Sequence, residues 1–138
     1  MEGRVVNHHL KEVIEVEDTA EAYIEFPDCH ALFYATTAYC TDSPVVVEIV
    51  CENAVLRIEG DEVTVAENGK KPVKQEFPPL PHVGKNCWGA SHQALIGDFY
   101  RCLENGTHFD IDFEEACRTL NLMLGIYESN ESKVPVLL

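Results

Sequence analysis

His92 and Trp88 are the residues of this sequence best suited to binding a small polar ligand. Both stand where a connector rich in proline and glycine leads into a helix. At that position an imidazole can reach a substrate hydroxyl or phosphate, and an indole can stack on the apolar face of a sugar ring. The alternatives are a helix-start histidine bonded to backbone and a tryptophan that fills the core under the connector. Both residues are candidate substrate-binding groups.

Histidines and carboxylates could indicate a metal site or a hydrolase, but structural roles explain these residues better. His8 and His9 could bind a metal together with His30, His82 or His108, but adjacent residues of a strand point to opposite faces, and no HxxxH or CxxC spacing is present. Paired carboxylates for hydrolysis could come from Asp98, Asp110, Asp112, Glu114 and Glu115, yet Asp112 and Glu115 are better explained by helix capping and helix-dipole effects. We expect no metal site, and a small hydrolase is a distant alternative.

The composition excludes several classes of partner. The 138 residues include 10 basic and 24 acidic ones, and the net charge of -14 repels phosphate backbones. No stretch approaches the ~18 apolar residues of a membrane span, and the N-terminus lacks the apolar region of a signal peptide. The six cysteines lie far apart and are interpreted as reduced, mostly buried thiols. We expect a cytoplasmic protein that binds neither nucleic acid nor membrane.

The first half of the chain has the pattern of a mostly antiparallel sheet. Residues 4–16 alternate loosely and are predicted to form a first strand. The stretch from 67 to 85 contains proline or glycine at six positions, so it is a connector with at best one short edge strand. Turn residues separate the other short β-branched and aromatic runs, at residues 22–26, 31–39, 45–50, 54–58 and 63–65.

Helical periodicity follows the connector. One helix is predicted from Ser91, a plausible N-cap, to Asn105, and a second from Asp112 to about Asn130. Residues 134–138 can return as a final strand. The sequence therefore predicts one α+β domain over residues 1–138, with an open-faced, mostly antiparallel sheet and two C-terminal helices packed on one face.

Aromatic residues on the predicted sheet indicate a partner for its other face. Tyr23, Phe33, Tyr34 and Tyr39 place more apolar surface there than two helices on one side can cover. The economical explanation is a symmetric homodimer through the open sheet. A charged replacement of whichever of Phe33 and Tyr34 points outward is expected to dissociate this dimer.

Several segments of the chain, in order, resemble those of a known family, the Gfo/Idh/MocA oxidoreductases. The resemblance is clearest from Trp88 onward. The family includes glucose-fructose oxidoreductase and inositol 2-dehydrogenase. The resemblance covers essentially the whole chain, although Cys51 and Ala54 replace glycines that the family often has around a hairpin. The matching segments are Val16-Glu17-Asp18-Thr19-Ala20, Val55-Leu56-Arg57-Ile58-Glu59-Gly60-Asp61, Trp88-Gly89-Ala90-Ser91-His92, Leu95-Ile96-Gly97-Asp98-Phe99-Tyr100, Asn105-Gly106, Ile111-Asp112, Glu114-Glu115-Ala116 and Ile126-Tyr127-Glu128-Ser129.

The resemblance implies the C-terminal, substrate-binding and dimer-forming domain of a two-domain enzyme, with the fold of the dihydrodipicolinate reductase and glyceraldehyde-3-phosphate dehydrogenase C-terminal domains. The family's Rossmann domain binds NAD or NADP and carries the catalytic lysine of a Glu-Lys-Pro motif. None of the eight glycines here forms a GxGxxG pattern, so we expect this fragment to bind no cofactor and to supply no catalytic residue.

The resemblance implies a sugar, polyol or nucleotide-sugar as the substrate of the intact enzyme, with His92 and Trp88 in contact with it. Met1 stands directly before Glu2-Gly3-Arg4-Val5, which looks like the strand that follows the family's catalytic helix, and this favours a fragment that is inactive alone. The alternative is a stand-alone, non-enzymatic homodimeric binding or interaction module that reuses the same sheet.

Overall fold

The computed structural model describes residues 1–78 and 91–138 and has an α+β architecture, which confirms the predicted class. The chain divides into two compact units. The first unit is Met1–Thr41 with Asp110–Leu138, and the second unit is Asp42–Phe109. The elements are β1 Glu2–Val6, β2 Thr19–Glu25, β3 His30–Thr36, β4 Val46–Val50, β5 Ala54–Glu59, β6 Glu62–Glu67, β7 Val73–Lys74, α1 His92–Asn105 and α2 Phe113–Ser132.

The strands form two antiparallel sheets, whereas the sequence predicted one. Sheet 1 has the order β1-β2-β3 and lies in the first unit, and sheet 2 has the order β4-β5-β6-β7 and lies in the second. Residues 37–45, between β3 and β4, include the polar run Thr41-Asp42-Ser43 followed by Pro44, which cannot continue a ladder. The two helices are also divided, because α2 belongs to the first unit and α1 to the second.

The core of the first unit lies between sheet 1 and α2. The strict alternation of β2 sends Ala22 and Ile24 to the side covered by α2, where Ile126 is buried against them. Gly3 of β1 permits this contact, because a Cβ at that position would lie 2.7 Å from the Cα atom of Ile126. Four partly buried residues extend the core, namely Met1, Val5, Ala31 and Leu122.

The ends of α2 are fixed by local interactions. Asp112 is the N-cap, as predicted, and its Oδ1 accepts a hydrogen bond of 3.0 Å from the backbone N–H of Glu115. The helix continues through Ser132, slightly further than predicted. Residues 134–138 do not form the predicted strand, but Val136 exchanges two backbone hydrogen bonds with Met1, of 2.8 and 2.9 Å. Neither helix, within the described ranges, is long and apolar enough to cross a bilayer.

The loop between β1 and β2 corrects the predicted first strand, which ends at Val6 and not at residue 16. The Oδ2 atom of Asp18 accepts hydrogen bonds of 2.6 to 2.9 Å from the backbone N–H groups of three consecutive residues, 8 to 10. The Asn7 amide donates to the carbonyl oxygens of Ile14 and Val16, at 2.9 and 2.6 Å. These two side chains fold residues 7–18 into a loop, because they offer the backbone an alternative to a ladder.

Sheet 2 has one polar and one apolar face. Arg57 donates hydrogen bonds to Glu48 and Glu59 on the polar face, and Lys74 pairs with Glu62 at 2.7 Å. β7 is the short strand allowed for in the connector. None of the second unit's described residues is buried. The apolar face consists of Val47, Ile49, Leu56, Ile58, Val63, Val65 and Val73.

Candidate functional site

Sheet 1 has an outward face, on the side away from α2, formed by Glu2, Arg4, Glu21, Tyr23, Leu32 and Tyr34. Two cross-strand rows build it, Glu2–Tyr23–Leu32 and Arg4–Glu21–Tyr34. Phe33 pairs with buried Ala22 and therefore lies on the α2 side. Of Phe33 and Tyr34, between which the sequence could not decide, Tyr34 is therefore the residue that points outward.

The large hydrophobic residues of the outward face are more exposed on β3 than on β2. Leu32 and Tyr34 are 80% and 63% exposed, so their side chains project from the sheet. Tyr23 on the central strand is less exposed and stacks on the His30 ring, with ring centroids 5.6 Å apart. Arg4 on β1 makes an ion pair of 3.6 Å with Glu21. The face is therefore apolar and aromatic at β3 and charged at β1.

The C-terminal end of α2 covers the free edge of β1. The backbone N–H of Gly3 donates to the Ser129 hydroxyl at 3.0 Å, and that of Val5 donates to Asn130 Oδ1 at 3.2 Å. The Ser129 hydroxyl in turn donates to the Val134 carbonyl oxygen at 3.0 Å. These side chains satisfy edge groups that would otherwise be open to another strand.

Lys133 ends α2 in a strained conformation. Its φ of 61° makes it the one non-glycine residue with a positive φ in the described part of the chain. Its backbone N–H donates to the Ser129 carbonyl oxygen at 2.9 Å, and its Nζ donates to Asn130 Oδ1 at 3.3 Å. Glycine is the usual residue at such a C-cap, so the lysine is kept at some conformational cost.

A hollow of about 480 Å³ lies between the outward face of sheet 1 and the end of α2. Its walls include Arg4, Glu21 and Tyr23 from the strands and Asn130 and Lys133 from the helix end. The volume falls in the usual range for small-ligand sites. The two cations, the carboxylates and the amide offer both hydrogen-bond donors and acceptors.

The loop between β1 and β2 is held to α2 and to itself. The Tyr127 hydroxyl donates to Glu17, and this hydrogen bond, helped by burial and the carboxylate charge, raises the pKa of Tyr127. Burial of the Asp18 carboxyl acts to raise its pKa, but the hydrogen bonds from Leu10, His9, Thr19 and His8 outweigh it and lower the pKa from 3.8 to about 2. Asp18 is thus an ionised structural anchor at neutral pH.

A second hollow, of about 350 Å³, lies on the polar face of sheet 2. Arg57, Glu59, Glu62 and Thr64 line it. The hydrogen bond to Glu59, with that to Glu48, raises the pKa of Arg57. Because the cation is already paired with two carboxylates, this hollow offers a ligand less than the first one does.

His92, one of the two predicted ligand-binding residues, lines neither hollow. It is the exposed first residue of α1. Trp88 lies outside the described residues. The sequence did not single out Lys133 or Arg4, because the hollow depends on a contact between the two ends of the chain. The one available signal was a lysine where a helix would favour glycine.

Within the described ranges, the cysteines and the other possible metal ligands do not cluster. No group of three His, Cys, Asp or Glu side chains there could hold a metal ion. The prediction of mostly buried thiols was wrong, because Cys29, Cys40 and Cys51 are exposed and Cys102 and Cys117 are half-buried, all as free thiols. Short polar turns next to these cysteines explain the exposure of the first three.

No protein-family model, curated protein or solved structure matches this chain. The residues themselves therefore carry any functional inference. In the first unit they form a projecting aromatic edge, a polar hollow and a helix end that clamps β1. In the second unit they form a two-faced sheet and an amphipathic helix.

Proposed function

We propose that this chain is the substrate-binding and dimer-forming C-terminal part of an NAD(P)-dependent oxidoreductase similar to the Gfo/Idh/MocA family. Its supporting observation is a contact between two of the segments that carry the resemblance. Tyr127, from the segment Ile126–Ser129, donates its hydroxyl proton to Glu17, from the segment Val16–Ala20. In the same proposal the two units together adopt the C-terminal fold of dihydrodipicolinate reductase and glyceraldehyde-3-phosphate dehydrogenase.

The substrate in this proposal is a sugar, a polyol or a nucleotide-sugar, bound by the intact enzyme. His92 and Trp88 contact its hydroxyl groups and ring, while NAD or NADP, held by another domain, accepts or donates the hydride. This chain binds no cofactor and orients the substrate from one side. The five cysteines within the described residues are free thiols, which is compatible with a reducing cytoplasm.

Uncovered apolar surface supports a role within a larger assembly. The apolar stripe of α1 recurs at helical spacing, yet none of that helix is buried. Surfaces of this kind usually pack against another protein or domain. The stripe consists of Leu95, Ile96, Phe99, Tyr100 and Leu103, each exposed by more than two fifths.

The outward face of sheet 1 is the proposed dimer surface, with Tyr34 as its most informative residue. Tyr34→Lys should convert a dimer to a monomer, whereas the wild-type chain should sediment as a dimer. A wild-type chain that stays monomeric at all concentrations would remove this part of the proposal.

A second candidate is a stand-alone homodimeric binding module. The specific observation in its favour is that the first hollow is formed entirely within the first unit, without any cofactor domain. In that case the hollow and the outward face would serve binding alone.

The decisive experiment is to read the coding sequence immediately upstream of Glu2 in the source genome. A strand–GxGxxG–helix unit followed by a Glu-Lys-Pro motif would support the oxidoreductase, and the extended protein should then change nicotinamide absorbance with polyols or sugars. In that protein His92→Ala should raise KM by about tenfold, while His9→Ala, at an exposed loop position, should not. A stop codon directly before Met1, with no turnover, would leave the binding module.

A further inference from the structure

We propose that Tyr34 of one copy inserts into the hollow of a second copy, formed by Arg4, Glu21, Asn130 and Lys133. This inference rests on the proposed dimer and specifies its geometry. The same contact occurs twice, so each copy gives one tyrosine and receives one.

The two halves of the contact lie on one surface. Arg4, Glu21 and Tyr34 form a single cross-strand row, with Arg4 at the hollow and Tyr34 at the opposite edge. Adjacent strands are about 4.8 Å apart, so the row from β1 to β3 spans about 10 Å. A projection and a depression on one face, separated by the width of the sheet, are the elements of a self-complementary surface.

Twofold symmetry brings these halves together. When two outward faces meet across an axis parallel to β2, β3 of one copy lies over β1 of the other. The strands of the two sheets then run within about 30° of each other, as in aligned sheet packing. Tyr34 and Leu32, the most exposed large hydrophobic residues of the face, are thereby placed above the partner's hollow, which includes Tyr23.

Charge favours a tyrosine as the occupant. Two copies with a net charge of -14 each repel one another, so the contact must add no uncompensated charge. The hollow balances Arg4 and Lys133 against Glu2 and Glu21, and a phenol is neutral. Its ring can pack on Tyr23 and its hydroxyl can pair with the cations or carboxylates. Tyrosine and arginine are also the side chains that most often dominate interface energies.

A substitution at Lys133 can distinguish a role in dimerisation from a role in ending α2, because the backbone there is strained. Lys133→Gly relieves the left-handed conformation and should stabilise the folded chain. The same substitution removes one cation from the hollow and should weaken the dimer by about tenfold. A lysine that only ends the helix would give the stabilisation without any change in dimerisation.

The first test is sedimentation velocity of the full chain over a range of concentrations. Tyr34→Ala should raise the dimer dissociation constant by at least about tenfold, and Tyr34→Phe should raise it less. Tyr39→Ala is the matched control, because Tyr39 is about equally exposed but lies outside the sheet, and its dissociation constant should match the wild type. Equal effects at positions 34 and 39 would overturn the inference.

The second test locates the contact. A photoreactive benzoylphenylalanine at position 34, in a mixture of isotopically light and heavy copies, should form intermolecular crosslinks to residues 129–134. Crosslinks from position 34 to β3 of the other copy would preserve the proposed dimer but overturn this geometry. A chain that is monomeric throughout would overturn both. The same photoreactive residue at position 39 should give no crosslink to residues 129–134.

Discussion

The two units use different kinds of interaction to hold their elements. In the first unit, side chains reach the backbone across nearly the whole chain, as Ser129 does with Gly3, and Ile126 is buried against Ala22 and Ile24. In the second unit the strands pair through local hairpins and surface ion pairs, and no described residue is buried. The first unit therefore has a packed core of its own, whereas the apolar residues in the described part of the second unit stay at least partly exposed.

The two units also show that an amphipathic pattern does not by itself tell whether the apolar face is covered. β2 and sheet 2 each have an apolar side, but among the described residues only the apolar side of β2 is buried, under α2. Alternation therefore predicts which side chains share a face, and it does not predict whether that face is covered within the chain. Paired substitutions, one in each unit, test this difference directly.

The largest difference in stability loss between the two units is expected when an isoleucine side chain is truncated in each. Ile126 is 4% exposed, so Ile126→Ala should lower the free energy of unfolding by about 3 kcal/mol through lost burial and a cavity. Ile96 on α1 is 56% exposed, and Ile96→Ala should change it by less than about 0.5 kcal/mol. Urea denaturation followed by circular dichroism measures both. Similar losses would show that the α1 stripe is already packed within the chain.

A glycine-to-alanine substitution should destabilise the folded chain at Gly3 in the first unit and stabilise it at Gly97 in the second. At Gly3 the new Cβ would meet the backbone of Ile126 at 2.7 Å, so Gly3→Ala should cost about 2 kcal/mol. At Gly97, inside α1, the nearest atom is the flexible end of Arg101 at 3.6 Å, and Gly97→Ala should stabilise by about 0.5 to 1 kcal/mol. Thermal unfolding of both variants checks the signs. A neutral Gly3→Ala would mean that α2 lies further from β1.

The Asp18 anchor gives the first unit a specific pH dependence. Folding lowers the pKa of Asp18 from 3.8 to about 2, so the folded state favours the charged form. This contribution is present above pH 3.8 and is lost as the pH falls toward 2. Asp18→Asn should therefore be less stable at neutral pH and should lose less stability across that acidic window. The control is Asp61→Asn, in the turn after Gly60, for which urea midpoints should follow the wild type at each pH.

Local chemistry made part of this fold predictable. The alternation of residues 22–26, the cap at Asp112 and the described part of the connector, up to residue 78, were all recognised, because each depends on neighbours in sequence. The loop at residues 7–18 was missed, since its hydrophobic alternation resembles a strand and its true cause is the carboxylate of Asp18. The short polar side chains of Asn7 and Asp18 at its two ends were the available signal.

The candidate site was less predictable for a physical reason. Its hollow joins Arg4 to Lys133, and the clamp joins Gly3 to Ser129, so both depend on contacts between the two ends of the chain. No periodicity reports such a contact. The outward direction of Tyr34 became known only from the register of β2 with β3, because a shift of one residue would have turned Phe33 outward instead.

The smallest difference in stability loss between the two units is expected when the N-cap residue of each helix is replaced. Asp112 accepts a hydrogen bond from the N–H of Glu115, so Asp112→Ala should lower the free energy of unfolding by about 1 kcal/mol. Ser91 stands at the N-cap of α1 without a side-chain cap hydrogen bond, and its backbone is already helical, so Ser91→Ala should be close to neutral. Hydrogen exchange of the first-turn amides of each helix measures both effects locally. Loss of protection at α1 in Ser91→Ala would show that the second unit's helix is capped after all, and the two units would then differ in burial alone.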